Sequence, residues 1–303
     1  MTNVIVTTTI NPPTKAVQMF DRMPGWHLVV IGDRKTPEDY RLDNGTYVGA
    51  EEQEKIDKEL SDLIGWNCIQ RRNFGFLVAQ EMGADTVAVV DDDNIPLEGW
   101  GTEVMVGRAV EANVFTTSLP AFDPIGATNY PQLWHRGYPL QLLPQRDYSQ
   151  RSREVVTPDV QADFWNGDPD IDAICRMQFA PECSFHEEVF PLTSNAISPF
   201  DSQNTFITSS WLQHYFLFPG VGRMDDIWAG YYLQGQGAKV VFGKASVIQE
   251  RNPHDPVTDM KLEYAGYENN LSIVSKVAED PDSLFRFLPE RTIAAFDRYR
   301  AHF

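Results

Sequence analysis

The chain has 303 residues, of which 42% are hydrophobic, so it is long and apolar enough to bury a large core and does not have the composition of a disordered protein. It carries 25 lysines and arginines against 43 aspartates and glutamates, and this net charge of −18 argues against a nucleic-acid partner held by phosphate contacts. Three cysteines without a CxxC pair argue against a disulfide framework and a structural zinc site.

The N-terminal half alternates predicted strands with predicted helices. The β-branched run NVIVTTTI predicts a strand, PTKAVQMFDRM predicts a helix opened by Pro13 and Thr14, and WHLVVIGD predicts a second strand. Residues Glu51 to Ile64 and the segment RRNFGFLVAQEMG predict two more helices, the latter ending near Gly83. This alternation predicts an α/β domain.

The segment ADTVAVVDDDN runs a predicted buried strand directly into Asp91, Asp92 and Asp93. Ligands of open α/β sheets bind outside the carboxyl ends of strands, which is where these carboxylates stand. Asp91 and Asp93 point the same way if the backbone is extended, and carboxylates of this kind, together with substrate phosphates, suit Mn²⁺ or Mg²⁺. Asp92 would then face the nucleotide or the sugar. On the motif alone, an acidic turn that caps the next segment has similar weight.

The second half is less regular, and its proline-punctuated segments between Pro120 and Pro199 predict mixed strand and loop. The final segment, VAEDPDSLFRFLPERTIAAFDRYRAHF, predicts amphipathic helices that close the fold. Because no linker-like stretch occurs, we expect one domain. It would comprise a nucleotide-binding half (1–115), a sugar- and acceptor-side half (116–265) and C-terminal helices (266–303).

The N-terminus, MTNVIVTTTI, has neither a basic segment nor a long apolar core. No window of the chain approaches the ~20 apolar residues that a membrane helix needs. We therefore expect a cytoplasmic protein without a membrane span. A homo-oligomer is compatible with the sequence.

Two further motifs offer catalytic side chains. WHRGYPLQLL places Arg136 and Tyr138 in an apolar stretch, where the arginine could pair with a diphosphate, although a lone arginine more often forms a structural ion pair. GRMDDIWAG places Asp225 and Asp226 beside Trp228. One of these carboxylates could act as a base, and the indole is a platform for a sugar ring. The alternative is a helix N-terminus whose dipole the aspartates complement.

The remaining candidate residues are predicted to bind the nucleotide or the sugar, or to complete a metal site. Arg71 and Asn73 open a predicted helix whose free N–H groups suit a phosphate, with a solvated helix start as the alternative. Asp33, after LVVIG, would bind a base or a ribose, and Thr8 belongs to the same predicted nucleotide site. His254 in RNPHDP would complete a metal site, against the alternative of a loop histidine without a role. The absence of GxGxxG, GxxxxGK[ST], GxSxG and HExxH argues against dinucleotide, P-loop, serine-hydrolase and zinc-protease sites.

Taken in order, RRNFGFLVAQ, VVDDDN, HRGYPL, NGDPDIDA and GRMDDIWAG resemble the plant reversibly glycosylated polypeptides, which are UDP-arabinopyranose mutases. The segments VTTTINPPT, VVIGDRKTP, VQADFWNGDPDIDAICRM and DSQNTF resemble the STELLO-type glycosyltransferases. Together the matches run from about Val4 to Tyr264, which is most of the chain.

The resemblance implies a GT-A fold, with a central mixed, mostly parallel sheet flanked by helices, a nucleotide-sugar substrate and a divalent cation at the DxD. In the mutases the acidic triplet is required, and the arginine of the RGYP motif is associated with reversible glycosylation. These roles carry over to Asp91, Asp92, Asp93 and Arg136. Leu140 and Asn94 stand where the mutases have phenylalanine and cysteine, which leaves the sugar and the reaction open.

We therefore predict a metal-dependent pyranose/furanose mutase that cleaves and re-forms the anomeric bond to phosphate of a nucleotide sugar, with a UDP-sugar favoured. The alternative is a metal-dependent glycosyltransferase that moves the sugar to an acceptor hydroxyl, deprotonated by Asp225 or Asp226. A third hypothesis is a non-catalytic nucleotide-sugar-binding protein. In either reaction a protonated guanidinium is a poor nucleophile, so Arg136 more easily stabilises the diphosphate than attacks the sugar.

Overall fold

The computed structural model describes residues 2–250 and 255–303, and a single sheet runs through this part of the chain. Its strands are β1 (Asn3–Thr9), β2 (His27–Gly32), β3 (Thr46–Val48), β4 (Thr86–Val90), β5 (Asn94–Pro96), β6 (Val110–Phe115), β7 (Arg151–Val156), β8 (Val160–Gly167), β9 (Leu192–Ser194), β10 (Asn204–Thr208) and β11 (Val240–Gln249). The α-helices are α1 (Lys15–Phe20), α2 (Ala50–Ile64), α3 (Arg72–Glu81), α4 (Ala173–Phe179), α5 (Asp225–Gly235), α6 (Pro256–Val274) and α7 (Glu290–Arg300).

The first four strands form a parallel unit in the order β3-β2-β1-β4. β1, β2 and β4 are mostly buried, and their interiors are rich in valine and isoleucine, as expected for parallel strands covered on both faces. α1 begins where the Thr14 hydroxyl accepts a hydrogen bond from the backbone N–H of Val17. The predicted strands and helices of the N-terminal half are thus confirmed.

The second half extends the same sheet through β10, which runs antiparallel to both β4 and β8. β11 is parallel to β8, so the carboxyl ends of β4, β8 and β11 meet at one edge of the sheet. Because β10 runs the other way, the segment that enters β10 lies at this edge as well. The backbone N–H of Asp91 bonds to the carbonyl of Gln203 there, at 3.2 Å. The predicted mixed α/β architecture flanked by helices is confirmed.

Helices α5 and α6 pack against each other behind this edge. The Trp228 indole donates to Asn270 Oδ1 at 2.7 Å, across the interface between the two helices. Gly222 has a φ of +63°, and a Cβ there would stand 2.0 Å from the carbonyl oxygen of Leu262. The turn that leads into α5 therefore requires glycine, and this close approach fixes where Asp225 and Asp226 begin the helix.

No helix within residues 2–250 and 255–303 combines the length and the apolar composition that crossing a membrane requires.

Candidate active site

A cavity of about 240 Å³ lies at the carboxyl-end edge of the sheet. It contains four of the acidic residues that the sequence predicted, and residues from other segments complete its wall. It is lined by Ile69, Asp91, Asp93, Arg136, Asp170, Ser202, Gln203, Gly222, Arg223, Asp225, Asp226 and Gln249. Cavities for drug-sized ligands usually measure about 300–1,000 Å³, so this one is large enough for only part of a molecule of the size that the sequence predicted as substrate.

Other cavities, of about 250, 520, 600 and 860 Å³, lie elsewhere in the described part of the chain. None of these four is lined by a residue that the sequence predicted for the site. The cavity of about 240 Å³ is therefore the candidate active site, because it is lined by the carboxylates and the arginine that the sequence predicted.

The three carboxylates of the acidic triplet have different environments. Asp91 Oδ1 accepts from Arg72 Nη2 at 2.7 Å, while Arg72 also donates to the carbonyl and hydroxyl oxygens of Ser202. Burial raises the pKa of Asp91, although the charge of Arg72 opposes that shift. Asp93 Oδ1 accepts from Gln249 Nε2 at 3.2 Å, so the last residue of β11 helps to orient it.

Asp92 points away from its neighbours and secures the loop after β1. Its carboxylate accepts from the Thr9 hydroxyl at 2.5 Å and from Asn11 Nδ2 at 3.1 Å, and its carbonyl accepts from the Thr14 hydroxyl. Asp92 does not line the cavity. The extended backbone that the sequence analysis assumed is not what the structure shows, because Asp92 and Asp93 form a turn in which the backbone N–H of Asn94 donates to the carbonyl of Asp91 at 3.3 Å.

Asp91 and Asp93 present oxygen atoms to a cavity that also holds the carboxylates of Asp225 and Asp226. Hard cations such as Mn²⁺ and Mg²⁺ take oxygen ligands and are commonly bound by one or two carboxylates together with substrate phosphates. The donor set therefore fits the predicted cation, with Asp91 and Asp93 as its ligands. His254, the third predicted ligand, lies outside the described residues.

Arg136 is held by the protein through its whole guanidinium group. Nε donates to the carboxylate of Asp170 at 2.9 Å, and Nη2 lies 2.8 Å from the same carboxylate. Nη1 donates to Asp226 at 3.0 Å and to the carbonyl of Arg223, and Nη2 donates to Asp226 at 3.3 Å. An arginine has five N–H donors, and hydrogen bonds engage four of them, while the second N–H of Nη2 is at ion-pair distance from Asp170. All three nitrogens of the Arg136 guanidinium are therefore held by the protein in this structure.

The two aspartates that begin α5 differ in how their charge is compensated. Asp226 accepts from Arg136 and from the backbone N–H and hydroxyl of Ser202, and these contacts outweigh burial and lower the pKa of Asp226. Asp225 accepts from Gln70 Nε2 at 2.7 Å, and burial, followed by the adjacent charge of Asp226, raises the pKa of Asp225 to about 7. Asp226 is therefore the ionised partner of Arg136, and Asp225 is the group that can exchange a proton near neutral pH.

Several predicted residues do not line the cavity. Trp228 is 1% exposed and Tyr138 is 2% exposed, so both belong to the core, and Trp228 has no open face for a sugar. Asn73 is buried and bonds with both side-chain atoms to the backbone of Leu217. Arg71 packs 3.6 Å over the ring of Trp66 and donates to Gln53 and Ser61. These contacts give all four side chains structural roles.

The other two nucleotide-side candidates stand at the ends of β1 and β2. The Thr8 hydroxyl donates to the carbonyl of Ile31 at 2.8 Å. Asp33 accepts from the backbone N–H groups of Arg34 and Cys68, which ties the loop before α3 to the end of β2. Both lie outside the lining of the cavity, at the sheet edge where a nucleotide would extend from it, and their role in binding stays a prediction.

Sequence reasoning missed several residues that line or support the cavity. Asp170 follows β8, Gln249 ends β11 and Gln203 precedes β10, so all three reach the site only through the order of the strands. Arg72 adjoins the predicted Arg71 and is the one that contacts Asp91. Asp170 lies in the quoted NGDPDIDA motif and Gln203 in the quoted DSQNTF motif, which were usable signals, whereas Gln249 had none.

We expect Mn²⁺ to raise the melting temperature of the protein more at pH 8 than at pH 6. The pKa of Asp225 is raised to about 7, so protons compete with a cation in the cavity below that pH. A raised carboxyl pKa also means that the metal-free protein loses stability as the pH rises through about 7, and a bound cation offsets that loss. Thermal unfolding of chelator-treated protein, with and without Mn²⁺, measures both effects.

The matched control for this prediction is Asp225→Asn, whose Mn²⁺-induced shift should depend less on pH over this range than that of the unsubstituted protein. Burial also raises the pKa values of Asp163 and Asp172 to about 7, but neither residue lines the cavity. Their effect on the melting temperature is the same with and without Mn²⁺, so it cancels when one melting temperature is subtracted from the other. Equal shifts at pH 6 and pH 8 in the unsubstituted protein would contradict the assignment.

Comparison with known proteins relates this geometry to two plant proteins. No protein-family model matches the chain. Over 250 residues, or 76% of this chain, it is 23% identical to "Probable glycosyltransferase STELLO2" and 22% identical to "Probable glycosyltransferase STELLO1", both from Arabidopsis thaliana. The matches cover 33% and 32% of those proteins, so this chain spans about a third of the length of the curated relatives it matches. The predicted resemblance to STELLO-type glycosyltransferases is confirmed.

The fold is shared with a solved bacterial structure. Glucosyl-3-phosphoglycerate synthase from Mycobacterium tuberculosis, in complex with phosphoglyceric acid, matches with a TM-score of 0.51 at 12% sequence identity. The match covers 90% of this chain and 80% of that chain. The chain therefore has the predicted GT-A fold.

Proposed function

We propose that this protein is a metal-dependent glycosyltransferase that moves a sugar from a nucleotide-diphosphate donor to an acceptor hydroxyl. The sequence alone favoured the mutase and kept the transferase as its alternative. Two features now favour the transferase: the relatives are named as glycosyltransferases, and the environments of Asp225 and Arg136 suit transfer to an acceptor. We further propose that the donor is a UDP-sugar and that Mn²⁺ or Mg²⁺ is the cofactor.

The observation that carries the proposal is the position of Asp225. Its carboxyl lines the same cavity as the candidate metal ligands Asp91 and Asp93, and its pKa is raised to about 7. A general base works best when its pKa lies near the working pH. A transferase needs such a base for its acceptor hydroxyl, whereas a mutase recaptures its own diphosphate and has no external acceptor to deprotonate.

The reaction would proceed in one displacement. The acceptor hydroxyl loses its proton to the Asp225 carboxylate, its oxygen forms a bond to the anomeric carbon, and the bond from that carbon to the diphosphate oxygen breaks. A bound divalent cation would neutralise charge on the departing diphosphate. Gln70 donates to the carboxylate of Asp225 and holds it in place, and its hydrogen bond favours the charged form that accepts the proton.

The contacts of Arg136 also favour the transferase over the mutase. The role implied by the mutase resemblance requires the guanidinium to meet the sugar or the diphosphate. All three of its nitrogens are instead held by Asp170, Asp226 and a backbone carbonyl, so a full contact between Arg136 and substrate would require buried ion pairs to break. We infer that Arg136 positions the two aspartates and does not itself react.

The proposal is tested by incubating the protein and Mn²⁺ with UDP-, GDP-, CDP- and dTDP-sugars, in pyranose and furanose forms, and following the products by NMR and chromatography. We expect slow release of nucleoside diphosphate from one donor without an acceptor, and faster release once a pool of candidate acceptors is added. Asp225→Asn should lower the acceptor-dependent rate by about 10²–10⁴-fold. Asp39→Asn, at an exposed position, should leave the rate unchanged.

Two other outcomes would decide against a transferase. A new ring isomer of the same nucleotide sugar, formed without an acceptor, would establish the mutase. Tight binding of a donor that stays intact with every metal and acceptor would establish a non-catalytic binding protein.

A further inference from the structure

A second group of possible metal ligands lies beside the cavity and separate from Asp91 and Asp93. It consists of His135, Asp170 and Asp201, which come from the turn before Arg136, the segment after β8 and the segment before β10. One ligand atom from each lies within 4.8 Å of the others, and all three side chains are buried. Neither the sequence analysis nor the proposed reaction gives His135 or Asp201 a role.

The imidazole of His135 is oriented as a metal ligand would be. Its Nδ1 lies 2.6 Å from the carbonyl oxygen of Arg136, and since a carbonyl can only accept, Nδ1 carries the proton. In the neutral ring Nε2 is then left with a lone pair. Histidines that bind metals commonly donate their other ring N–H to a backbone carbonyl in this way. His135 is 2% exposed, so the lone pair points into the protein interior.

The atom that faces this lone pair is an oxygen of a buried carboxylate. Asp201 Oδ2 lies 3.7 Å from His135 Nε2, which is beyond hydrogen-bond distance. The other oxygen of Asp201 accepts from the backbone N–H of Gln203 at 3.1 Å. Within residues 2–250 and 255–303, no arginine or lysine forms an ion pair with Asp201. Burial raises the pKa of Asp201 well above its usual range, so its carboxyl group holds a proton unless a cation takes the place of that proton, and a neutral imidazole does not supply such a charge.

The spacing of these atoms suits a cation. Zinc lies about 2.0–2.2 Å from nitrogen and carboxylate ligands, so two such ligands at a tetrahedral angle stand about 3.4 Å apart. We propose that His135 Nε2, Asp201 and Asp170 bind a divalent transition-metal ion, with Zn²⁺ the best match for one imidazole and two carboxylates. This site is distinct from the Mn²⁺ or Mg²⁺ site at Asp91 and Asp93, and it does not depend on the proposed function.

Asp170 would link the second site to the candidate active site. Its carboxylate already receives Nε and Nη2 of Arg136, and a carboxylate has about four lone-pair positions, so it can contact a guanidinium and a cation together. The surrounding charge favours the cation. The acidic residues in and beside the cavity are Asp91, Asp93, Asp170, Asp201, Asp225 and Asp226, and the arginines that contact them are Arg72, Arg136 and Arg223.

A cation here would hold together three segments that shape the cavity. The backbone of Arg136 already bonds to the segment after β8, through its N–H and the carbonyl of Asp170 at 3.0 Å. Joining His135 and Asp201 to Asp170 would fix the turn before Arg136 and the entry to β10 in the same way. The ion would therefore act as a positioning element for Arg136 and would not contact the reacting atoms.

The test measures zinc binding directly, by competition with a chromophoric zinc indicator after chelator treatment at pH 7.5. We expect His135→Gln and Asp201→Asn each to weaken zinc binding at least about 100-fold, because loss of a direct ligand exceeds the 10–100-fold effect of an outer partner. His214→Gln replaces a histidine elsewhere in the fold and is the matched control, which should bind zinc as the unsubstituted protein does. Asp93→Asn should retain this zinc site while losing Mn²⁺ binding.

A second measurement does not depend on whether the His135 and Asp201 variants fold. With ¹⁵N-labelled histidine in a His254→Gln background, zinc should shift the Nε2 signal of one imidazole whose Nδ1 keeps its proton. Zinc affinities of the His135 and Asp201 variants within threefold of the unsubstituted protein, or the absence of any shifted imidazole signal, would overturn the proposal.

Discussion

Replacing Arg136 with alanine is expected to lower the free energy of unfolding by about 3–5 kcal/mol, because it leaves two buried carboxylates without their cation. Asp170 is 1% exposed and Asp226 is 6% exposed, and Arg136 contacts both. Urea unfolding at pH 7 measures the loss. A lysine at this position keeps the charge but cannot reproduce the five-donor geometry, so Arg136→Lys should also be destabilising.

A control at the surface separates this effect from the loss of an arbitrary arginine. Arg153 pairs with Glu111 at 3.3 Å, and both side chains are more than half exposed, so Arg153→Ala should change stability by less than about 1 kcal/mol. A second check removes one partner carboxylate. In an Asp226→Asn background, Arg136→Ala should cost less than it does alone, because the two residues interact directly.

The experiment also separates the two readings of the RGYP motif. If Arg136 served only as a sugar acceptor or a diphosphate ligand, its removal would abolish substrate chemistry and leave the stability unchanged. The contacts with Asp170, Asp226 and the carbonyl of Arg223 predict instead that removing Arg136 lowers the stability of the protein. An Arg136→Ala protein as stable as the unsubstituted one would therefore remove the structural argument against the mutase.

The sequence was most informative where burial follows a regular pattern. β1, β2 and β4 are apolar runs bounded by polar residues, and the acidic triplet follows the last of them, so the edge that carries the site could be predicted before its geometry was known. The existence of α2 and α3 followed in the same way from helical periodicity and end signals. Local patterns therefore predicted the elements and one wall of the cavity.

Orientation around a helix could not be read from the sequence in the same way. Arg71 and Arg72 are adjacent, and the first stacks on Trp66 while the second contacts Asp91. In α5 the residues from Asp225 to Leu233 are all buried, so periodicity does not distinguish a face that meets the cavity from one that meets the core. This is why Trp228, next to two residues of the site, was predicted as a sugar platform and lies in the core.

Contacts between residues that lie far apart in the sequence could not be predicted either. Gln249 and Asp93 are brought together because β5, which begins at the residue after Asp93, pairs antiparallel with the end of β11 and places Asn94 opposite Gln249. Nothing in the residues around Gln249 distinguishes it from other glutamines near strand ends. Side chains of this kind become candidates only once the strand order is known.

The substitution Asp93→Asn is expected to remove Mn²⁺ binding and to slow sugar transfer by at least about 10³-fold. This factor corresponds to about 4 kcal/mol of transition-state stabilisation. The reason is that Asp93 presents its carboxylate to the cavity and would ligate the cation with Asp91. Because Asp93 is only partly buried, its replacement should change the free energy of unfolding by less than about 1 kcal/mol. Isothermal titration with Mn²⁺ and urea unfolding measure the two effects on one sample.

Asp91→Asn should differ from Asp93→Asn in stability but not in metal binding. The guanidinium of Arg72 is 1% exposed, and Asp91 is the carboxylate with which it pairs, so an asparagine there leaves a buried cation poorly compensated and should cost about 1–3 kcal/mol. Suppose that both variants lose Mn²⁺ binding and that only Asp91→Asn is destabilised. This result would show that both carboxylates bind the cation and that Asp91 in addition pairs with Arg72. If Asp93→Asn kept its affinity for Mn²⁺, the acidic triplet would be a capping turn, and the cation site would have to be sought among the other carboxylates of the cavity, Asp170, Asp225 and Asp226.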